Sequence, residues 1–334
     1  AVVHGCMGFA DDDAQAIRAI HAAFEAGITS FDTAPLYGFG RSETLLARAI
    51  ADRRQRVQIL TKVGLRWDSD HGQVLFQATD RDGVRRVVRR DSRPGSIARE
   101  VEDSLQRLGL DVIDLLQVHH RDADTPLGDV MGALADLVRE GKVRAVGVSN
   151  FSLADCRQAA AGLDGVGLAS VQLEYNIARR LAETDILPWA AAEGVAVLAY
   201  SPLAQGVLAG RQLGGQPPPP DWRRGTPYFT APNLRAIHAA LEDSVVPIAR
   251  ELGVNPATVC LAWLLGRPGL TAAITGASTP MQAQANAAAA DIELTAEQRA
   301  RLEARWGRVE LSSSPPPARR LLVKLQSLLS RLRG

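Results

Sequence analysis

The stretch DVMGALADLVREGKVRAVGVSN, residues 129–150, places a helix, a glycine and a strand in direct succession. Residues 129–139 have a helical pattern, and Gly141 follows in the position that commonly ends a helix. Residues 143–150 then form a short apolar run with the character of a buried strand. This succession predicts one unit of a fold in which helices and strands alternate.

The same alternation extends over the whole chain. Further strand candidates lie at 1–5, 28–34, 57–62, 112–119, 169–175, 195–201 and 271–276, and further helical patterns lie at 13–26, 42–51, 96–108, 153–161 and 184–193. Eight units in series, with strands apolar enough to be covered by helices, predict an α/β fold of the closed (β/α)8 TIM barrel type. An open doubly wound sheet is the alternative, although no GxGxxG fingerprint follows the first strand to support it.

Long segments interrupt the alternation after the third and the seventh strand. A polar, charge-rich loop is predicted at 64–93, and a second loop, which contains four consecutive prolines, is predicted at 210–232. Loops that follow barrel strands surround the active-site mouth, so we expect both to form substrate walls or lids. Two extra helices are predicted at 233–266, and the second of them begins at Pro256.

The end of the chain differs from the rest in composition. We therefore predict a single barrel domain over 1–310, followed over 311–334 by a proline-led linker and a basic amphipathic helix. Residues 320–333 place six leucines on one helical face, with arginines and a lysine around it. Docking of this helix on its own protein is the first interpretation, and a contact that forms an oligomer or an acidic membrane surface is the alternative.

Composition excludes several classes of protein. The chain has 334 residues and is 46% hydrophobic, which is enough for a large core. Lys and Arg number 38 against 37 Asp and Glu, so the charge indicates no nucleic-acid partner. Cys6, Cys156 and Cys260 are odd in number and have no CxxC spacing, which argues against a disulfide framework and a metal site and favours the cytoplasm.

Neither a membrane span nor a signal peptide is visible in the sequence. No apolar run approaches the roughly 18 residues that a membrane span needs, and the first residues lack the charged-then-apolar form of a signal peptide. The chain does not begin with Met, and its first residues already have strand character. We therefore expect a segment upstream of them.

Four polar residues lie where predicted strands end. Asp32, Lys62 and His119 each close an apolar run, and Tyr37 lies five residues beyond Asp32 in a loop rich in Pro and Gly. The carboxyl ends of barrel strands carry the catalytic residues, so we expect these four to meet there. His120 is expected to point the other way along its strand, which favours His119.

Together these residue types can move a proton onto a carbonyl oxygen. Tyr37 has an ordinary pKa near 10, and a neighbouring Lys62 ammonium is expected to lower it by ~1 to 3 units. Asp32 would keep a partly buried Lys62 charged. His119 would donate a hydrogen bond to the carbonyl oxygen and orient it toward Tyr37.

The chain resembles the aldo-keto reductases of the bacterial type, and it is also similar to the potassium-channel β subunits that share their fold. The matching motifs are GCMGF, FDTAPLYGFGRSE, LTKVG, SLQRLGLDVIDLLQVH, GKVRAVGVSNFS, VQLEYN, AYSPLAQGVLAGR and ITGASTPMQAQAN. They are long, ordered and correctly spaced. The family's catalytic Asp, Tyr, Lys and His fall on Asp32, Tyr37, Lys62 and His119.

The resemblance implies a nicotinamide cofactor over the barrel mouth. It assigns the carboxamide to Ser149, Asn150 and Gln172, and the stacking on the nicotinamide ring to Tyr200. The pyrophosphate and adenosine contacts that it implies are Ser201, Leu203, Gly206, Leu208, Gly276, Ser278, Gln282 and Asn286. NADPH is the cofactor expected from the family, with NADH as the alternative, because no basic residue follows the eighth strand at 277–287 to pair with a 2′-phosphate.

The implied function is NAD(P)H-dependent reduction of a small-molecule aldehyde or ketone to an alcohol, with Tyr37 as general acid. Two alternatives remain open: the same chemistry in the oxidative direction on a sugar or hydroxymethyl compound, and a nucleotide-sensing partner subunit. Trp67, Trp222, Tyr228 and Phe229 either line a substrate pocket or pack the inserted loops.

Overall fold

Eight parallel strands form a closed ring, in agreement with the barrel predicted from the sequence. The computed structural model describes residues 1–8, 12–214, 217, 219 and 221–312. The barrel strands are β1 (Val2–Gly5), β2 (Ser30–Asp32), β3 (Gln58–Val63), β7 (Ile113–Val118), β8 (Val143–Ser149), β9 (Leu168–Glu174), β10 (Ala196–Tyr200) and β11 (Ala272–Gly276). Their order around the ring is β1, β11, β10, β9, β8, β7, β3, β2. Because β1 pairs with both β2 and β11, the sheet is closed, and an open doubly wound sheet is excluded.

Helices alternate with these strands as the sequence patterns predicted. They are α1 (Asp13–Glu25), α2 (Arg41–Ile50), α3 (Pro94–Leu108), α4 (Leu127–Arg139), α5 (Leu153–Ala161), α6 (Ile186–Glu193), α7 (Ala231–Ala240), α8 (Val246–Leu252), α9 (Pro256–Leu265), α10 (Pro280–Ala288) and α11 (Ala296–Trp306). Gly141, the glycine expected to end a helix, has a left-handed φ of 75°, and Gly194 at the end of α6 has one of 69°. Gly162 also caps its helix, but with a right-handed φ of −84°.

The polar loop predicted at 64–93 is instead a three-stranded antiparallel sheet, and that prediction was wrong. Its strands are β4 (Leu65–Arg66), β5 (Gln73–Thr79) and β6 (Arg85–Arg90), in the order β4, β6, β5. The Asp80 carboxylate accepts hydrogen bonds from the backbone N–H groups of Asp82 and Val84 and so builds the turn between β5 and β6. Since β5 contains no buried residue and β6 contains one, Val88, the apolar alternation that reveals a strand is weak here.

The chain divides into two compact units. The barrel unit comprises Ala1–Tyr175, Leu181–Tyr200 and Leu265–Ala290 and holds all eight barrel strands. The second unit comprises Asn176–Arg180, Ser201–Leu264 and the described residues from 291 onward.

Two layers of apolar side chains form the core of the barrel unit. A floor inside the barrel is built by Val3, Leu60, Leu198, Ala272 and Ile274. A second layer, between the strands and the helices, includes Ile20, Phe24, Phe31, Leu46 and Ile59. Each fully buried side chain of this size stabilises the fold by about 1.5–3 kcal/mol. Because side chains alternate along a strand, Lys62 lies on the same inner face as Leu60, one layer above the floor.

The second unit contains the two helices predicted at 233–266. The first, α7 and α8, is interrupted by one π turn at Leu241–Val245, two residues before Pro247, which lacks the N–H that a continuous helix needs. The second, α9, begins at Pro256, and the Asn255 side chain accepts a hydrogen bond from the Thr258 N–H at 3.0 Å. Both agree with the sequence pattern.

Most of the predicted tail lies outside the described residues, which end at 312. The proline-led linker and the amphipathic helix of 311–334, and with them the proposed domain boundary, therefore stay predictions. Within the described part of the chain, no helix combines the length and apolarity that crossing a bilayer requires.

Candidate active site

The four predicted catalytic residues all lie at one end of the barrel, in the barrel unit. Asp32 is the last residue of β2, Lys62 lies near the end of β3, and His119 directly follows β7. These three strands are neighbours in the ring. Tyr37 lies in the loop between β2 and α2, where a hydrogen bond from its N–H to the Ala34 carbonyl tightens the chain. Parallel strands therefore bring together residues that are far apart in sequence.

Lys62 forms a buried ion pair with Asp32. Its Nζ lies 2.6 Å from Asp32 Oδ1 and donates a second hydrogen bond of 2.9 Å to the Thr33 carbonyl. The two side chains are 1% and 4% exposed. Burial by itself lowers the pKa of Lys62, but the charges of Asp32 and Tyr37 reverse that effect and leave it above 10.5. Lys62 is therefore an ammonium at any physiological pH.

The Lys62 ammonium also faces Tyr37, since its Nζ lies 5.1 Å from the centre of the tyrosine ring. The expected lowering of the Tyr37 pKa is not found: removal from water raises the pKa above 10.0, and this outweighs the opposite effect of Lys62. The charge of Asp32 reinforces the rise. Tyr37 therefore keeps its proton at neutral pH, as a proton donor must.

His119 completes the group as a neutral imidazole. Its ring meets Tyr37 edge to face, with 5.8 Å between ring centres and 82° between planes. Burial, followed by the charge of Lys62, holds the pKa of His119 well below 6.5. A hydrogen bond of 2.9 Å from the His119 backbone N–H to the Val63 carbonyl holds His119 against the end of β3. A neutral His119 carries one ring N–H that can act as a hydrogen-bond donor.

His120 does not point away from His119, and that part of the sequence reasoning was wrong. The two rings stack, with 5.4 Å between centres and 11° between planes. Strand β7 ends at Val118, so the alternation of side chains no longer applies to the two histidines. Burial and the charge of Arg90 lower the pKa of His120 to about 4. His119 therefore packs between Tyr37 and a second neutral imidazole.

The residues expected to hold the nicotinamide carboxamide lie at the ends of β8, β9 and β10. Ser149 and Gln172 are direct partners across β8 and β9. Asn150 follows β8 with a φ of 61°, and its Nδ2 donates to the His119 carbonyl and to Ser149 Oγ, both at 3.0 Å. Tyr200 Oη donates to Asn150 Oδ1 at 2.8 Å. In this arrangement the amide of Asn150 is engaged within the protein and holds the other side chains in place.

The groups left open at this point suit a primary amide. Gln172 Nε2 donates to Asp32 Oδ2 at 2.9 Å and to Gln117 Oε1 at 3.3 Å, so both of its N–H groups are used and its oxygen remains as an acceptor. Ser149 Oγ accepts from Asn150, and its own O–H has no acceptor among the described residues. One open acceptor beside one open donor matches the NH₂ and C=O of a carboxamide.

The residues expected at the adenosine end of the cofactor also come together in the barrel unit. Asn286 Nδ2 donates to the Gly276 carbonyl at 3.2 Å, and the Ser278 N–H donates to Gln282 Oε1 at 2.8 Å. Gly276 ends β11, Ser278 and Gln282 lie around the start of α10, whose first turn is capped by Thr279, and Asn286 lies further along this helix. Helix N-termini favour anionic groups because of their exposed N–H groups and dipole.

The residues expected to contact the pyrophosphate, Ser201, Leu203, Gly206 and Leu208, lie in the second unit. They belong to a sharply turning segment in which Ser201 and Gly206 have φ angles of 49° and 99°. The N–H groups of Gly206 and Leu208 both donate to the Leu203 carbonyl. Leu208 is fully buried, so its side chain packs inside this unit.

The side chain of Trp222 lies outside the described part of the chain, and the other three aromatic residues considered for a substrate pocket divide into two groups. Tyr228 and Phe229 are 3% and 8% exposed and pack within the second unit, where Asn176 donates to the Tyr228 hydroxyl at 3.0 Å. Trp67 is partly exposed and meets Phe39 edge to face at 5.4 Å. Packing is therefore the role of Tyr228 and Phe229 in this structure.

Sequence reasoning overlooked Gln117, which lies directly below the four residues. It is fully buried on β7, in register with Lys62 on β3. The available signal was a polar amide within the apolar run of the predicted strand 112–119, since a polar side chain in a buried strand needs hydrogen-bond partners inside the protein. Among the described residues, no three His, Cys, Asp or Glu side chains are grouped so as to hold a metal ion.

Comparison with known proteins identifies the family. A sequence model of the Aldo/keto reductase family matches residues 1–306. The NADH-specific methylglyoxal reductase of Escherichia coli (strain K12) is 33% identical over 283 residues, which cover 84% of this chain and 83% of that protein.

Two solved structures share the fold along nearly the whole chain. The glycerol dehydrogenase of Gluconobacter oxydans is 34% identical with a TM-score of 0.79, and the match covers 95% of this chain and 93% of that one. An aldo/keto reductase from Klebsiella pneumoniae in complex with NADP and acetate is 28% identical with a TM-score of 0.70, covering 92% and 91%. With a family match over 306 residues and a barrel of the same fold, this chain belongs to the aldo/keto reductase family and is an NAD(P)-dependent oxidoreductase.

Proposed function

We propose that this enzyme reduces a small aldehyde or ketone to an alcohol, with Tyr37 as the general acid. The observation that supports this most directly is the buried Lys62 ammonium, held by Asp32 at 2.6 Å and facing the Tyr37 ring at 5.1 Å. The bound nicotinamide would supply the hydride. The protein then has to place the carbonyl oxygen, deliver one proton and stabilise the charge that develops.

Tyr37 delivers the proton. Its pKa above 10.0 keeps the hydroxyl protonated at neutral pH. As the proton leaves, negative charge develops on the tyrosine oxygen, and the nearby ammonium of Lys62 stabilises that charge. Asp32 keeps Lys62 charged and in position, which makes Asp32 a positioning residue.

His119 orients the substrate. Because it is neutral, it contributes an N–H hydrogen bond to the carbonyl oxygen without competing with Tyr37 as an acid. Its ring lies 5.8 Å from that of Tyr37, centre to centre, so one carbonyl oxygen can contact both groups. A donor fixed before the reaction stabilises developing charge more than a mobile water molecule does.

For the cofactor, we propose that Ser149 and Gln172 hold the carboxamide and that Tyr200 stacks on the nicotinamide ring. The open acceptor of Gln172 beside the open donor of Ser149 supports the first part. Ser201, Leu203, Gly206 and Leu208 for the pyrophosphate and Gly276, Ser278, Gln282 and Asn286 for the adenosine stay predictions. NADPH is the first choice, and the NADH-specific relative and the lack of a basic residue at 277–287 support NADH as the alternative.

Oxidation of a small polyol is the second candidate. It is favoured by the likeness to a glycerol dehydrogenase at 34% identity. The same four residues serve both directions, since Tyr37 would then accept the proton that it donates in reduction. A Tyr37 pKa above 10.0 favours reduction at neutral pH, because oxidation needs the deprotonated form.

The test is to replace Tyr37 with Phe and measure cofactor oxidation on an activated aromatic aldehyde, with NADPH and NADH in parallel. We expect turnover to fall by ~10²- to 10⁴-fold, as for the loss of a general acid, while the dissociation constant of the cofactor stays nearly unchanged. Tyr175→Phe is the matched control, because it removes a buried tyrosine hydroxyl that bonds to Glu183 outside the catalytic group.

Equal turnover in wild type and Tyr37→Phe would exclude Tyr37 as the acid. Tight cofactor binding without turnover on aldehydes or polyols in the wild type would instead support the nucleotide-sensing subunit. A cytoplasmic location and an oligomer formed through the tail helix also stay predictions. The first is supported by three cysteines that are all buried and unpaired.

A further inference from the structure

A layer of polar side chains lies below the catalytic group, inside the barrel. Gln117 on β7, Gly147 on β8 and Ser170 on β9 are in register across three neighbouring strands. An ideal Cβ at Gly147 would lie 2.2 Å from Ser170 Oγ and 3.3 Å from Gln117 Cγ. The missing side chain at Gly147 therefore allows Gln117 and Ser170 to meet across β8.

This layer continues upward through the amide of Gln172. Its Nε2 donates to Asp32 Oδ2 at 2.9 Å and to Gln117 Oε1 at 3.3 Å, and the residue is 2% exposed. A single hydrogen bond would fix one point of the amide and allow its plane to swing. Two acceptors on different strands fix the plane and leave the oxygen as the open group.

Gln117 is itself held with its oxygen toward Gln172. That oxygen also accepts a hydrogen bond from Ser170 Oγ at 3.4 Å. Its Nε2 is buried and has no partner within the described part of the chain, which is energetically unfavourable. If the Gln117 amide were turned over, its NH₂ would face the NH₂ of Gln172. The Gln117 NH₂ therefore lacks a partner because the Gln117 oxygen has to face Gln172.

We propose that Gln117 is a positioning residue that, together with Asp32, orients the Gln172 amide so that its oxygen receives the NH₂ of the nicotinamide carboxamide. The inference rests on the proposed role of Gln172 in holding that carboxamide. Gln117 would thus help to recognise the NH₂ of the nicotinamide carboxamide without contacting the cofactor itself. The enzyme should therefore prefer a nicotinamide over an analogue whose ring substituent carries no N–H.

The experiment measures dissociation constants by quenching of tryptophan fluorescence, for NADP⁺ and for its 3-acetylpyridine analogue, in which a methyl group replaces the NH₂. Gln117→Met removes the acceptor at similar volume, and Gln117→Glu retains an acceptor oxygen. Ser170→Ala is the matched control, because it removes the other hydrogen bond to Gln117 and leaves the one to Gln172.

In Gln117→Met we expect the preference for NADP⁺ over the analogue to fall by about 3- to 10-fold, the equivalent of one hydrogen bond, with the affinity for the analogue unchanged. Gln117→Glu and Ser170→Ala should keep the wild-type preference. If Gln117→Met keeps the wild-type preference for NADP⁺, or loses affinity equally for both dinucleotides, the role of Gln117 would be overturned and the proposed function would stand. A wild type that binds neither dinucleotide would overturn the proposed function with it.

Discussion

Replacing Lys62 with Met tests whether the buried ion pair organises the site. The substitution removes the charge but retains a flexible side chain of similar length. It leaves Asp32, which is 3% exposed, with the Gln172 hydrogen bond of 2.9 Å and no cation beside it. An uncompensated buried carboxylate is strongly unfavourable, and breaking such a pair costs about 3–5 kcal/mol.

The loss of stability in the single variant should therefore be about 3–5 kcal/mol at pH 7. Most of this loss comes from the Asp32 carboxylate that is left without its cation, so removing that charge as well should restore most of the stability.

Urea unfolding at pH 7, followed by circular dichroism, measures this difference. The double variant Asp32→Asn with Lys62→Met carries neither charge of the pair and should recover most of the stability. A single variant within 1 kcal/mol of wild type, or a double variant no more stable than the single one, would show that the buried ion pair does not organise the site.

Two further predictions concern protons elsewhere in the site and in the barrel unit. The turnover number for reduction should be constant between about pH 6 and 9 and fall only at higher pH, because the pKa of Tyr37 lies above 10.0 and that of His119 lies well below 6.5. An inflection near pH 7 in stopped-flow rates would contradict this prediction. Glu100 accepts a hydrogen bond from the Gly64 N–H at 2.7 Å, and burial raises the pKa of this carboxyl from 4.5 to about 8. The contribution of Glu100 to stability is therefore full below pH 4.5 and is lost as the pH rises through about 8. Glu100→Gln should therefore be more stable than wild type at pH 9, by about 2–4 kcal/mol, and less stable or equal at pH 5. Thermal unfolding at both pH values measures this difference, and a variant less stable than wild type at pH 9 would contradict the prediction.

The convergence of the predicted catalytic residues could be foreseen because it follows from the fold. Once eight alternating units indicate a parallel barrel, Asp32, Lys62 and His119 must converge, since the carboxyl ends of parallel strands share one rim. The sheet built by β4, β5 and β6 was missed for the opposite reason. Its strands bury little, so the alternation of apolar and polar residues that reveals a strand is nearly absent.

The sequence alone determined which residue types stand at which strand ends, because period and position along the chain are local properties. The tertiary structure decided which of these side chains carry a proton and how they are oriented. The pKa of Tyr37 rises where the sequence suggested a fall, since burial outweighs the charge of Lys62. The Gln172 amide takes its orientation from Asp32 and Gln117, which lie 140 and 55 residues away in sequence. Desolvation and hydrogen-bond geometry depend on neighbours that only the folded barrel brings together.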